Sequence, residues 1–125
     1  MKRRNLLRFA IALALILTLL LTGCGKAYKT MKMQDARAKI EAGSDALILD
    51  VRTQEEYDEG HIPGAVLHPI EELREGNFDP LPDKDREIYV YCWTGRRAED
   101  ASQILVDNGY KNVTNIGGFV EWDMG

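Results

Sequence analysis

The residues best suited to chemistry form one short segment in the C-terminal half of the chain. The segment combines a thiol, a glycine and two arginines within six positions, Cys92-Trp93-Thr94-Gly95-Arg96-Arg97. It follows a β-branched and aromatic run, and an amphipathic helical pattern begins near Ala98, so the cysteine is predicted to lie between a strand and a helix. Unpaired N–H groups and the helix dipole at such a position favour the thiolate, which is the nucleophilic form. The segment therefore predicts a nucleophilic cysteine in an anion-binding loop.

The neighbours of Cys92 strengthen this interpretation over its simpler alternative. A free cysteine is most often a buried, inert side chain. Here Gly95 permits a backbone turn that most residues resist, and Arg96 and Arg97 add positive charge to an otherwise acidic chain. The position at a strand end, beside two arginines, favours a reactive thiol.

A second polar pair follows another predicted strand. Asp50 and Arg52 come directly after the apolar run at residues 46–49. Parallel strands end at a common sheet edge, so both side chains are predicted to border the same pocket as Cys92. Structural support is favoured over direct catalysis. His61 lies in a turn motif and is assigned to turn packing, because the only other histidine is His68 and no cluster has metal-ligand spacing.

The first 24 residues have the order of an export signal. Three basic residues at positions 2–4 precede an apolar run at residues 9–21. As a helix that run would be about 20 Å long, shorter than the roughly 30 Å hydrocarbon core of a bilayer. It closes with Leu21-Thr22-Gly23-Cys24, which resembles a bacterial lipobox, in which the cysteine becomes the lipidated first residue. The alternative is an uncleaved membrane anchor. Both alternatives predict a membrane-tethered protein of the cell envelope that faces the periplasm or the cell exterior.

Composition and charge restrict the partners and the size of the fold. The chain has 125 residues, with 16 Lys and Arg against 20 Asp and Glu, and a formal charge of −4. Residues 1–23 hold four basic residues and no acidic one, so a chain from Cys24 would have 102 residues and a charge of −8. That acidity argues against nucleic acid, which requires surplus positive charge. The length allows one domain, and a lipidated Cys24 would leave Cys92 without a disulfide partner.

The elements that position these residues alternate between helix and strand. We predict a tether at residues 24–32 and one domain at residues 33–125. In it, helices are predicted at 33–43, 53–60, 70–75, 98–108 and 118–123, and strands at 46–49, 65–67, 87–91 and 113–116. Alternation with short connections predicts an α/β domain with a mainly parallel central sheet, and ligands bind beyond the carboxyl ends of such strands.

Three separated motifs resemble the rhodanese homology domain. Residues 92–97 are similar to its CxxGxR active loop. Upstream, residues 49–52, 55–57 and 60–65 are similar to its DVR, EY and GHIPGA motifs. Downstream, residues 109–113, Gly117-Gly118 and Trp122 resemble its closing pattern. The resemblance extends from Met33 to Gly125 and implies the three-layer rhodanese fold.

The resemblance implies a sulfurtransferase. Such a protein moves sulfane sulfur from a donor such as thiosulfate to cyanide or a thiol, through a persulfide that would form on Cys92. The backbone of residues 93–97, which includes Trp93, Thr94 and Gly95, would hold the persulfide. Arg97, helped by Arg96, would attract the anionic donor. We expect small-molecule substrates, no cofactor and a monomer.

Other chemistries are open but less favoured. Rhodanese-like domains also serve as sulfur carriers or binding modules with little turnover. Related phosphatases separate the cysteine and the arginine by five residues, whereas four separate Cys92 from Arg97. A thioredoxin-like site is weaker still, because Gly95 stands where the second cysteine of a CxxC motif would be.

Overall fold

A computed structural model of the protein describes residues 27–124. Its elements, in chain order, are β1 (Lys29–Thr30), α1 (Met33–Glu41), β2 (Leu47–Asp50), α2 (Gln54–Glu59), β3 (Val66–Leu67), α3 (Ile70–Arg74), β4 (Ile88–Cys92), α4 (Arg96–Asp107), β5 (Val113–Gly118) and a 3-10 turn at Phe119–Glu121. The strands of this region form one sheet in the order β1-β5-β4-β2-β3. All four pairings are parallel. The predicted α/β class and parallel sheet are confirmed.

Side chains on the two faces of the sheet belong to separate cores. Along β4, Val90 and Cys92 belong to one apolar cluster and Tyr89 and Tyr91 to the other, as the alternation of a strand requires. The first cluster includes buried residues of α3 and α4, and the second includes buried residues of α1. The sheet is therefore the middle layer of three, and the predicted rhodanese-like layering is confirmed.

The start of the domain differs from the prediction. Residues 24–32 were predicted to form a tether, but Tyr28 is buried in the core, and Lys29 and Thr30 pair in parallel with β5. The pairing continues where the Met31 N–H donates to the Asn115 carbonyl at 2.9 Å. A two-residue polar strand shows no alternation along the sequence, because the backbone and not the side chains holds it to the sheet. The tether prediction is therefore wrong for residues 28–30.

Two helix boundaries also differ from the prediction. The helix after the cysteine begins at Arg96 and not near Ala98, since Gly95 is its N-cap with φ of 108°. Both arginines consequently lie in the first helical turn. The final helix, predicted at residues 118–123, is a single 3-10 turn at Phe119–Glu121, because β5 continues through Gly118.

The predicted export signal and Cys24 lie outside the described residues. Within residues 27–124, no helix has the length and apolar character needed to cross a membrane. The predictions of a signal segment and of lipidation therefore stay predictions.

Candidate active site

Cys92 is the last residue of the central strand β4 and lies at the N-terminus of α4. Its side chain is only 1% exposed, and its Sγ accepts a hydrogen bond from the Gly95 N–H at 3.0 Å. Gly95 adopts a positive φ of 108°, which turns its N–H back toward the sulfur at little conformational cost. The helical hydrogen bonds of α4 begin with the Glu99 N–H to the Gly95 carbonyl, so the first N–H groups of α4 have no partner within the helix. The sulfur thus lies close to backbone donors that suit an anion.

The loop after Cys92 packs directly on the end of β5. In the parallel register Cys92 pairs with Gly118. A Cβ on Gly118 would lie 2.5 Å from the Trp93 carbonyl oxygen and 2.7 Å from the Thr94 carbonyl carbon. The Val120 N–H also donates to that Trp93 carbonyl at 3.2 Å. Gly118 therefore allows the loop to approach the sheet, which fixes the backbone beside the thiol.

Arg97 and Glu56 form a two-pronged ion pair at the edge of the site. The Arg97 Nη1 and Nη2 donate to the two carboxylate oxygens of Glu56 at 2.7 and 2.8 Å. The hydrogen bond from Arg97 lowers the pKa of Glu56 to about 2, against the opposing effect of burial, and the Thr53 contacts of Glu56 add to the lowering. The same hydrogen bond raises the pKa of Arg97. Arg97 therefore joins α4 to α2, whereas Arg96 is exposed and has no ion pair within residues 27–124.

Asp50, Arg52 and Tyr91 form a buried polar network beneath the loop. Arg52 Nη2 lies 2.7 Å from Asp50 Oδ2 and 2.7 Å from the Gly60 carbonyl oxygen, and the Tyr91 hydroxyl donates to Asp50 Oδ2 at 2.6 Å. Burial alone would lower the pKa of Arg52, but the hydrogen bond and the charge of Asp50 outweigh it and raise that pKa. Burial, with the hydrogen bond to Asp50, raises the pKa of Tyr91.

The buried network faces away from the side chain of Cys92. Asp50 contacts Tyr91, whose ring belongs to the core opposite that of Cys92. The Arg52 Cζ lies 4.6 Å from the centre of the Phe119 ring and 5.9 Å from that of the Trp93 ring. Asp50 and Arg52 were predicted to border the same pocket as Cys92, but they contact Tyr91 and the rings beside the loop, on the side of the sheet away from the Cys92 side chain.

Trp93 and a small cleft form the outer surface of the site. The Trp93 side chain is 44% exposed, and its ring centre lies 6.1 Å from that of Phe119. A cleft of about 110 Å³ lies on the Arg97 side of the loop. Its lining residues are Val51, Arg52, Thr53, Pro69, Ile70, Glu71 and Arg97. The site thus has an aromatic side at Trp93 and a charged side at Arg97.

Comparison with known proteins identifies the family. The model of the rhodanese-like domain matches residues 32–124. The chain belongs to the rhodanese-like domain family. The chain is 40% identical over 70 residues to the thiosulfate sulfurtransferase PspE of Escherichia coli K12, a match that covers 56% of this chain and 67% of that protein. It is 37% identical over 86 residues to the putative sulfur carrier protein YrkF of Bacillus subtilis 168, covering 69% of this chain but only 45% of that protein.

A solved rhodanese structure has the same fold. The crystal structure of a rhodanese-like domain protein from Staphylococcus aureus superposes with a TM-score of 0.68 at 29% sequence identity. The match covers 75% of this chain and 90% of that chain. The family resemblance noted in the sequence is therefore correct.

The histidines of this rhodanese domain have local packing contacts. The His61 ring stacks on Tyr57 with 3.7 Å between ring centres, and its Nδ1 lies 2.9 Å from the Tyr57 carbonyl oxygen. His68 is buried, and its Nε2 lies 2.7 Å from the Asn77 carbonyl oxygen. No group of three or more potential metal ligands occurs within residues 27–124.

Glu56 and Tyr91 contribute to the rhodanese site but were not among the predicted site residues. The sequence indicated one of the two contacts of Glu56, because Thr53 and Glu56 have the spacing of a capping box, and the structure contains that capping box. The partner Arg97 is 41 residues away, and no local pattern links the two. The Tyr91 hydroxyl likewise reaches Asp50 across 41 residues of sequence.

Proposed function

We propose that this rhodanese-like domain is a sulfurtransferase that carries sulfane sulfur as a persulfide on Cys92. The observation that carries the proposal is the hydrogen bond from the Gly95 N–H to Cys92 Sγ at 3.0 Å, at the N-terminus of α4. A thiolate or a persulfide at this position would be stabilised by the same donor and by the helix dipole. The name of the E. coli relative supports the same chemistry.

The proposed reaction has two sulfur-transfer steps. The Cys92 thiolate attacks the outer sulfur of thiosulfate, so that a new S–S bond forms while the bond between the two thiosulfate sulfurs breaks. Sulfite leaves with the electron pair of that bond. Cyanide or a thiolate then attacks the outer sulfur of the persulfide, which releases thiocyanate or a new persulfide and regenerates the Cys92 thiolate. Both steps use only the Cys92 thiol and the two substrates.

Mass spectrometry after incubation with thiosulfate tests the proposal. The protein should gain the mass of one sulfur, and the gain should be absent in Cys92→Ser. Cys24→Ala is the matched control, because it removes the other cysteine of the chain and should keep the gain. Sulfur transfer to cyanide that persists in Cys92→Ser would contradict the assignment.

A sulfur carrier is the second candidate function. The exposed Trp93 lies beside the loop, and large exposed aromatic side chains are typical anchors of protein interfaces. The name of the B. subtilis relative points the same way. Rapid persulfide formation with no steady-state turnover on cyanide or small thiols would favour the carrier, and efficient turnover would favour the enzyme.

We further propose that Cys24 is lipidated and holds the domain at a membrane facing the periplasm or the cell exterior. The sequence before Cys24 supports this, and only residues 25–27 separate it from the buried Tyr28. Metabolic labelling with a fatty acid should mark the wild-type protein and not Cys24→Ala. Labelling that persists in that variant would contradict the proposal.

A further inference from the structure

The charge of Arg97 is already engaged in the protein. Both terminal nitrogens of its guanidinium donate to Glu56, at 2.7 and 2.8 Å, in the planar two-pronged geometry that is strongest for this pair. The side chains are 33% and 27% exposed, so the contact is only partly open to water. An incoming anion would therefore have to compete with a fixed carboxylate for Arg97.

Glu56 is itself held in place by the start of α2. The Thr53 N–H and hydroxyl donate to Glu56 Oε1 at 3.3 and 3.2 Å, and the Glu56 N–H donates to the Thr53 hydroxyl oxygen at 3.2 Å. These contacts form a capping box, which orders the carboxylate without help from Arg97. Glu56 is thus a preorganised receptor for the arginine.

Arg97 nevertheless lies in the first turn of α4, two residues after the N-cap Gly95 whose N–H donates to Cys92 Sγ. After the hydrogen bond to Glu56 and the charge of Glu56, the charge of Cys92 contributes to raising the pKa of Arg97. A guanidinium released from Glu56 would have the thiolate as an alternative anionic partner. The carboxylate of Glu56 therefore competes with the sulfur for one cation.

We propose that Glu56 is a positioning residue that holds Arg97 on α2, weakens the positive potential at Cys92 and leaves anionic reagents to Arg96, which has no ion pair within residues 27–124. An effect of Glu56 on the use of thiosulfate as the sulfur donor rests on the proposed sulfurtransferase function. An effect of Glu56 on the electrostatic potential at the Cys92 thiol does not. Removing the negative charge of Glu56 should therefore increase the rate at which Cys92 reacts with anions.

Alkylation with two reagents of different charge tests the potential directly. Iodoacetate is an anion and iodoacetamide is neutral, and in both reactions the thiolate forms a C–S bond as the C–I bond breaks and iodide leaves. The ratio of the two rate constants at Cys92, measured on the Cys92 peptide by mass spectrometry, cancels changes in the intrinsic reactivity of the thiol. In Glu56→Gln the iodoacetate-to-iodoacetamide ratio should rise by about twofold to fivefold, the size of one partly exposed ion pair.

Matched variants show whether the effect passes through Arg97. Glu55→Gln removes the same charge from the neighbouring, exposed position of α2 and should leave the ratio nearly unchanged. Arg97→Ala should lower the ratio, and Glu56→Gln should raise it less in the Arg97→Ala background than in the wild type, because the part of the effect that passes through Arg97 is then absent. Gln can still complete a capping box, so Glu56→Gln should keep the fold, which thermal unfolding verifies.

The outcomes separate this proposal from the sulfurtransferase proposal. An unchanged or lower ratio in Glu56→Gln, an equal rise in Glu55→Gln, or a rise that is just as large without Arg97 would overturn the positioning role. If the wild-type protein takes no sulfur from thiosulfate, the proposed function fails, while the alkylation ratios still decide the role of Glu56. If it does take sulfur, the KM for thiosulfate should fall in Glu56→Gln by about the same twofold to fivefold.

Discussion

Two arginine–carboxylate pairs flank the active loop, and they differ mainly in their access to water. Asp50 and Arg52 are both fully buried, whereas Glu56 and Arg97 are about one-third exposed. The buried pair has further partners in Tyr91 and the Gly60 carbonyl, and it packs under the aromatic rings beside the loop. Within residues 27–124, the further hydrogen-bond partner of the outer pair is the capping residue Thr53, on the carboxylate side.

This difference in exposure predicts a structural role for the buried pair and a role in tuning the potential at Cys92 for the outer pair. A buried charge that loses its partner is costly, since water cannot replace the lost contact. The buried Arg52 Nη1 already has no hydrogen-bond partner within residues 27–124, so this guanidinium depends on Asp50 for its stabilisation. Water can solvate either member of the outer pair, so changes there should alter the potential at Cys92 more than the stability of the fold.

Breaking the buried pair should have the largest effect. Asp50→Asn removes the charge that compensates Arg52 and should lower the free energy of unfolding by about 3–5 kcal/mol. Urea unfolding of the purified variant measures the change. A decrease in the free energy of unfolding below about 1 kcal/mol would mean that the buried pair stabilises the fold no more than an exposed pair does. The proposed difference between the two pairs would then be wrong.

Removing the Tyr91 hydroxyl from the buried network should have the next largest effect on the free energy of unfolding. Tyr91→Phe removes the hydroxyl that donates to Asp50 Oδ2 and accepts from the Ile62 N–H at 3.2 Å. Leaving the buried Ile62 N–H without its partner and removing one of the hydrogen bonds to Asp50 Oδ2 should cost about 1–3 kcal/mol in urea unfolding. If Tyr91→Phe is neutral, the pair does not depend on its hydroxyl, and the stabilisation lies in the Asp50–Arg52 contact alone.

The sequence predicted the two pairs to different extents. Asp50 and Arg52 follow a buried strand and are two residues apart, and the family resemblance implied that they form a supporting ion pair. Glu56 and Arg97 come from α2 and α4, and their contact requires the parallel β2–β4 pairing and the exact start of α4. The predicted start near Ala98 placed Arg97 in a loop, where no fixed partner could be inferred. The short β1 was missed for a related reason, because backbone pairing with β5 leaves no pattern in the side chains.

The outer pair should contribute little to stability, and only above strongly acidic pH. The pKa of Glu56 is lowered from 4.5 to about 2. The stabilisation is therefore complete above the unfolded value and is lost as the pH falls through about 2. Comparing wild type with Glu56→Gln at pH 7 should give a difference of about 1 kcal/mol or less, which should shrink from pH 4 towards pH 2. A difference that grows on acidification would have the wrong sign for a carboxylate of lowered pKa.

The unpaired arginine should have the smallest effect on stability and yet a clear effect on anion reactivity. Arg96 is exposed in the first turn of α4 and has no ion pair within residues 27–124, so Arg96→Ala should change the free energy of unfolding by less than about 0.5 kcal/mol. The loss of its charge beside Cys92 should nevertheless lower the iodoacetate-to-iodoacetamide ratio, while Arg74→Ala, which removes an arginine from α3, should leave it nearly unchanged. If Arg96→Ala leaves the ratio at the wild-type value, the backbone donors at the start of α4 suffice to attract anions. The proposal that Arg96 attracts anionic reagents while Arg97 is held by Glu56 would then be wrong.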